Sequence, residues 1–193
     1  MSSDKIIELK EAIISDFDGT IIDIETIGNF DKNPLYRYDS RRLKKINQVI
    51  FGHINKNGLV ILCAKGREAI NELNSASKQM LDNLERPFYA LNTNFESSVW
   101  FNQLNKEIVF DGELQEKPYE SKKEARNILT IPDYDDPFCD NGLECSCAWE
   151  CAQYDKAIAH NRSCLLKERD ILLKRYLQLN KKCCAPFPFT FCR

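Results

Sequence analysis

With 193 residues and 43% hydrophobic content, the chain has material for one domain with an appendage and a genuine core. A formal net charge of −2 lacks the basic excess that a general electrostatic grip on nucleic acid needs, which argues against that class of partner. No apolar run reaches bilayer-spanning length, and Met1-Ser2-Ser3-Asp4-Lys5 is not a basic region ahead of an apolar one, so the expected setting is cytoplasmic.

Residues 6–11 mix Ile and Leu with charges and lead into a first predicted strand at 12–17. That strand climbs into Asp16-Phe17-Asp18-Gly19-Thr20. In an open α/β sheet, ligands bind beyond the carboxyl ends of the strands, so the two acids stand where chemistry usually occurs. Two aspartates one residue apart can share a hard cation such as Mg²⁺. One carboxylate can attack phosphorus while the other handles the leaving-group proton. Gly19 lets the backbone turn and approach a phosphate, and Thr20 adds a hydroxyl. A strand running into an acidic Asx-type turn is the plain alternative.

The stretch resembles motif I of the haloacid-dehalogenase (HAD)-like phosphohydrolases, an apolar strand followed by D-x-D-G-T. The resemblance implies that Asp16 is the nucleophile, that Asp18 is the general acid/base, and that Mg²⁺ sits on Asp16 and the Asp18 backbone carbonyl.

Beyond Thr20, Gly28, Asn29, Asn33 and Pro34 mark the segment to Asp39 as loop and hairpin. Asp39 or Ser40 caps a predicted helix whose stripe is Leu43, Ile46, Val49, Ile50 and Ile54. Asn57-Gly58 ends it and launches Leu59–Ala64, a continuous apolar run suited to a strand covered on both faces. Strand, helix, strand gives a right-handed crossover and a parallel pair. Ala64-Lys65-Gly66-Arg67 then resembles the A-T-G-R form of motif II, with Lys65 in the Thr position, where it can meet phosphate as a point charge. A plain strand-to-helix turn on Gly66 is the alternative.

A helix follows from Arg67 to Leu84, then a third strand at Phe88–Leu91. Val99-Trp100-Phe101 and Ile108-Val109-Phe110 read as short strands or a hairpin. Lys117 stands just before a helix ending at Leu129 and resembles motif III, whose ammonium neutralises the nucleophile and phosphoryl oxygens; Lys122 or Lys123 can take that part instead. The family's metal-binding acids have counterparts in Asp135-Asp136, or Asp136 with Asp140. Pro132 and Pro137 interrupt any strand there, so an acidic, proline-punctuated loop fits equally.

Cys139, Cys145, Cys147 and Cys151 are close enough in sequence to bind Zn²⁺, although their spacing is not a pair of C-x₂-C steps and reduced thiols are the alternative. Residues 148–182 read as one amphipathic helix, or two broken near Asn161, packing on the sheet or forming a dimer seam. The tail holds Lys181-Lys182, Cys183-Cys184 and three phenylalanines, a pattern for an acylated membrane anchor or for a tucked apolar terminus.

Together these features predict an α/β protein. Residues 1–140 would form a Rossmann-like, doubly wound parallel sheet with a HAD-like core and little or no cap, and 141–193 a helical Cys-rich extension. By the resemblance, the function is Mg²⁺-dependent phosphomonoester hydrolysis through an aspartyl-phosphate at Asp16. Asp18 serves as acid/base, Lys117 balances charge, Gly19, Thr20, Lys65, Gly66 and Arg67 hold phosphate, and Asp135, Asp136 or Asp140 completes the metal site. Capless members of that superfamily often act on macromolecules, and the acidic charge favours a phosphoprotein over nucleic acid. Two rival readings are a catalytically inactive HAD-like scaffold and a zinc-stabilised interaction module.

Overall fold

The structure is a computed structural model that describes residues 5–37 and 39–183, those from 176 onward as backbone alone. Six strands form one mixed sheet: β1 (Ile6–Glu11), β2 (Thr20–Gly28), β3 (Ile46–Asn55), β4 (Gly58–Ala64), β5 (Phe88–Ala90) and β6 (Gly112–Glu113). Their order is β1-β4-β3-β2-β5-β6. The helices are α1 (Ile70–Leu81), α2 (Thr93–Leu104), α3 (Lys122–Leu129), α4 (Gly142–Glu150) and α5 (Tyr154–Cys183).

The α/β class stands, but the sheet is not a doubly wound parallel one. β2, β3 and β4 form an antiparallel meander, β1 adds antiparallel to β4, and only β2, β5 and β6 run parallel. Several elements differ from the sequence expectation: the segment after Thr20, read as loop and hairpin, opens with β2, Val99-Trp100-Phe101 lies within α2, and Ile108-Val109-Phe110 is outside any strand. The predicted strand at 12–17 is an irregular connection between β1 and β2. The predicted helix through Leu43–Ile54 is β3, and Asn57-Gly58 belongs to the tight β3–β4 turn, where the Asn55 carboxamide accepts from the Asn57 amide at 2.9 Å.

The helices cover the sheet unequally. α5 lies across β2, β3 and β4, so the C-terminal helix packs on the sheet. Its Leu165, Leu166 and Ile171 belong to the same apolar cluster as Ile21, Ile54 and Ile61. α1 and α2 pack behind β3, where Gln48 donates to Ser77 Oγ at 2.7 Å and its carbonyl oxygen accepts from the Trp100 indole at 2.5 Å. Successive strand residues face opposite ways, so Phe51, against Trp100, is on that face and Gly52 is on the α5 face.

Gly52 sets how closely α5 approaches. A Cβ there would lie 2.1 Å from Asn161 Oδ1 and 2.8 Å from Leu165 Cδ1, closer than atoms can sit. Gly52→Ala therefore has to push α5 off β3, and denaturant unfolding is expected to show a loss of about 1–3 kcal/mol, the usual cost of overpacking.

On the other face, His53 is buried with its Nδ1 lacking a hydrogen-bond partner, and burial pushes its pKa down to about 4 from an ordinary 6.5. The folded chain thus holds His53 neutral at pH values where the unfolded chain takes up a proton. Its stabilising share is present above pH 6.5 and is lost as pH falls towards 4. Compared with His53→Leu, the parent protein should lose roughly 3 kcal/mol more over that interval, measured as the difference between two pH–stability curves.

Candidate metal centre

β2 pairs with β5 through Thr20 opposite Phe88 and Ile21 opposite Tyr89, and β5 ends one residue later at Ala90. β2 continues to Gly28 beyond that point, so Asp23 and Glu25 stand just past the carboxyl end of a parallel neighbour. β2 is also the strand where antiparallel pairing on one side meets parallel pairing on the other. In open α/β sheets such a switch is where a crevice forms. Residues two apart on a strand share a face, and for Asp23 and Glu25 it is the face under α5.

Three further elements bring charge to this place. Glu96 comes from the first turn of α2, Lys122 opens α3, and α5 contributes His160, Asn161, Cys164 and Glu168. Lys122 Nζ donates to Asp23 Oδ1 at 3.1 Å and lies 2.7 Å from Glu168 Oε1. Asn161 Nδ2 donates to Asp23 Oδ2 at 2.7 Å. His160 Nε2 is 3.7 Å from Glu25 Oε1 and 3.7 Å from Cys164 Sγ. Its Nδ1 is 2.7 Å from Asp136 Oδ1.

Asp23, Glu25, Glu96 and Glu168 are all buried, Glu168 completely. Lys122 is in contact with Asp23 and Glu168 and the His160 imidazole faces Glu25, while neither Glu168 oxygen nor Glu96 Oε2 accepts an aligned hydrogen bond. A buried surplus of negative charge must either take up protons or meet a cation. Without a cation, burial first and the Asp23 carboxylate next drive the Glu168 pKa up to about 8, against the pull of Lys122. Burial likewise raises Glu25 to about 7, opposed by His160, and lifts Glu96 well above the carboxylate range. Burial disfavours charge on Lys122, but Asp23, Cys164 and Glu168 outweigh it and raise its pKa. The donors of the four acids are hard oxygens, the set suited to Mg²⁺ or Mn²⁺.

The residues picked out by sequence lie elsewhere and apart. Asp16 and Asp18 are exposed in the connection before β2, where they line a cleft of about 630 Å³ with Ser15, Lys56 and Pro87. Gly19 does take positive φ, yet its close approach is to the Pro87 carbonyl, and Thr20 donates through Oγ1 to the Glu85 carbonyl and through N to that of Pro87. Lys65, Gly66 and Arg67 follow the end of β4. Since β2 and β4 both oppose β3, they are at the other end of the sheet from Asp16, roughly 20 Å away at about 3.3 Å per residue. Arg67 is paired with Glu150. Lys117, beyond the carboxyl end of β6, is also at that far end and pairs with Glu124.

Asp136 and Asp140 do meet a cation, but it belongs to the chain. Lys167 Nζ is 2.7 Å from Asp136 Oδ2, 2.6 Å from Asp140 Oδ1 and 3.2 Å from Asp133 Oδ1. Asp136 also accepts from the Phe138 and Asp140 amides, so its carboxylate is fully engaged and its pKa falls despite burial. Asp135 is exposed. The cysteine cluster does not assemble as a zinc site: Cys145 is buried while Cys147, two residues on, is exposed. Residues two apart on a helix face different ways. Among the described residues, the triads whose ligand atoms already lie within 4.8 Å of one another are Glu25–His160–Cys164 and Asp133–Asp136–Asp140; no three of Asp23, Glu25, Glu96 and Glu168 do, so a cation among those acids has to draw their oxygens together. The basic, aromatic tail beyond Cys183 lies outside the described residues.

Two signals in the sequence point to the buried cluster. Ile21-Ile22-Asp23-Ile24-Glu25-Thr26-Ile27 carries acids at alternate positions within a β-branched run, the strand period. His160, Cys164, Lys167 and Glu168 recur at helical spacing on the buried face of α5, whose apolar neighbours Leu165 and Ile171 draw the eye instead.

The raised carboxyl pKa values have a thermodynamic consequence. The fold keeps protons on Glu25 and Glu168 that the unfolded chain releases near pH 4.5, so stability falls as pH rises through about 7 and 8. A divalent cation relieves this loss by competing with those protons. Mg²⁺ or Mn²⁺ should raise the melting temperature more above pH 8 than below pH 7, and Glu168→Gln should diminish the difference. Comparison with protein-family models, with curated proteins and with solved structures gives no match for this chain.

Proposed function

We propose that the chain is a divalent-cation-dependent hydrolase of phosphoesters, with its centre at Asp23, Glu25, Glu96 and Glu168. The observation that carries this reading is the burial of four carboxylates in one electrostatic neighbourhood, with Glu96 Oε2 and both Glu168 oxygens accepting no aligned hydrogen bond. Structural ion pairs close their own charge, whereas this cluster is short of positive charge by design of its surroundings. It is the arrangement expected where Mg²⁺ or Mn²⁺ is the missing counter-charge.

A cation bound there would polarise a phosphoryl oxygen and lower the pKa of a bound water, and a paired site would serve both the attacking and the leaving oxygen. Asp23 is oriented by Asn161, and Glu25 by His160. Lys122 holds Asp23 and Glu168 together and supplies a fixed positive charge beside the reacting group. The phosphoryl chemistry and Mg²⁺ expected from the sequence are retained in this proposal, but at the opposite side of β5 from Asp16.

The test uses an aryl phosphate diester and the corresponding monoester with Mg²⁺ or Mn²⁺. Hydrolysis should fall at least ~100-fold in Asp23→Asn and Glu168→Gln, since loss of even outer-shell partners costs 10–100-fold in metal sites. Asp16→Asn should keep the parent rate. Loss of activity in Asp16→Asn with full activity in Glu168→Gln would return the chemistry to an aspartyl-phosphate in the cleft around Asp16.

A further inference from the structure

We infer that Glu25, His160 and Cys164 form a second metal site, of zinc type, which shares Glu25 with the acidic cluster. Glu25 Oε1, His160 Nε2 and Cys164 Sγ lie within 4.8 Å of one another, and His160 Nε2 is 3.7 Å from each of the other two. The edges of a tetrahedron built on Zn–O and Zn–N bonds near 2.1 Å and a Zn–S bond near 2.3 Å are roughly 3.4–3.6 Å. The two edges that meet at His160 Nε2 match that spacing and the third is at most 4.8 Å, so the donors stand close to three corners of such a site, with one corner left for water or another ligand.

The histidine is also prepared for this role. Its Nδ1 is held by Asp136 Oδ1 at 2.7 Å, and Asp136 is itself held by Lys167 and by two backbone amides. A carboxylate on one ring nitrogen fixes the tautomer that turns the other nitrogen to a metal, and raises its basicity. Phe138 packs against the ring with centroids 5.6 Å apart, which limits its rotation. Cys164 is reached one helical turn after His160 on α5, so the two donors share one face without any rearrangement of the helix. A thiolate and an imidazole select a softer ion than the four acids do, which separates this site chemically from the all-oxygen centre.

Loading balances as follows. Zinc displaces one proton from the Cys164 thiol and one from His160 Nε2, while the Nδ1 proton stays on the Asp136 hydrogen bond. With Glu25 ionised, the bound ion is neutralised by one thiolate and one carboxylate, and no redox partner is needed.

The experiment is metal analysis of the full chain after stripping with chelator and reloading with zinc, paired with the absorption spectrum of the Co²⁺-substituted protein. One zinc per chain and a thiolate-to-cobalt charge-transfer band are expected. Cys164→Ser should abolish the band and weaken zinc binding by more than ~100-fold, given that outer-shell losses alone cost 10–100-fold. Cys147→Ser, whose thiol is exposed on α4, should change neither. Absence of tightly held zinc in the parent, or a thiolate band that survives Cys164→Ser, overturns the proposal. The parent measurement needs no variant to fold. The site shares Glu25 with the hydrolytic centre but does not rest on it: Mg²⁺-dependent hydrolysis by a chain that takes no zinc would overturn this site alone, and zinc in a chain inert to phosphoesters would overturn only the other.

Discussion

Burying Asp23 and Glu25 side by side on β2 is the constraint around which the rest of the α5 face is arranged. A carboxylate removed from water without compensation costs several kcal/mol, so each must be met by a donor or a charge from elsewhere in the chain. α5 meets that demand with Asn161 on Asp23 and His160 on Glu25, and α3 adds Lys122. The contacts from Asn161 and His160 form only when α5 lies close against the meander. Gly52 permits this, because Asn161 occupies the space a side chain at that position would take.

Two acidic groups beneath α5 make an informative contrast. Asp133, Asp136 and Asp140 surround Lys167, with Arg126 beside Asp133 and 3.6 Å from Asp140 Oδ2, and two backbone amides close the remaining acceptor sites of Asp136. Positive and negative charge are there nearly matched, which is how a loop carrying Pro132 and Pro137 is tied to a helix. Around Asp23 the count is reversed, with four acids against Lys122 and a share of His160. Asp136 nevertheless connects the two groups, since it accepts from Lys167 and faces His160 Nδ1. The acidic loop thereby acts on the centre at one remove, by fixing which nitrogen of His160 faces Glu25.

How much of this was legible in the sequence depended on whether local pattern and tertiary role agreed. β4, α1, α3 and the long α5 follow their apolar periods, and each appears close to where the periods place it. β3 was obscured by a bulge. Opposite Glu25 and Thr26 the register steps from Ile50 to Gln48, leaving Val49 as the extra residue. The step resets the two-residue alternation midway, and the spacing of Leu43, Ile46, Val49, Ile50 and Ile54 then imitates a helix. β2 was hidden for a different reason. Its buried acids look like a loop unless strand period is given precedence over polarity, and what makes their burial tolerable comes from Lys122 and α5, with Lys122 lying 99 residues and His160 137 residues away from Asp23 by number. The D-x-D-G-T run differs in the opposite sense. Its local chemistry is sound, but the strand it needs is absent, and the segments expected to join it lie across the sheet.

Competition for the same oxygens follows from where Lys122 sits. Its ammonium touches Asp23 Oδ1 and lies against Glu168 Oε1, two of the oxygens a divalent cation would use. A single positive charge cannot neutralise four acids, and protons on Glu25 and Glu168 make up the difference only at the cost of leaving those groups without aligned partners. A doubly charged ion with several oxygen ligands satisfies both needs at once, in charge and in coordination. Lys122 meets Asp23 and Glu168 from the first turn of α3 and retains 12% of its side-chain exposure, while Glu168 retains none. The carboxylates, fixed on a central strand and the buried face of α5, cannot move away from one another.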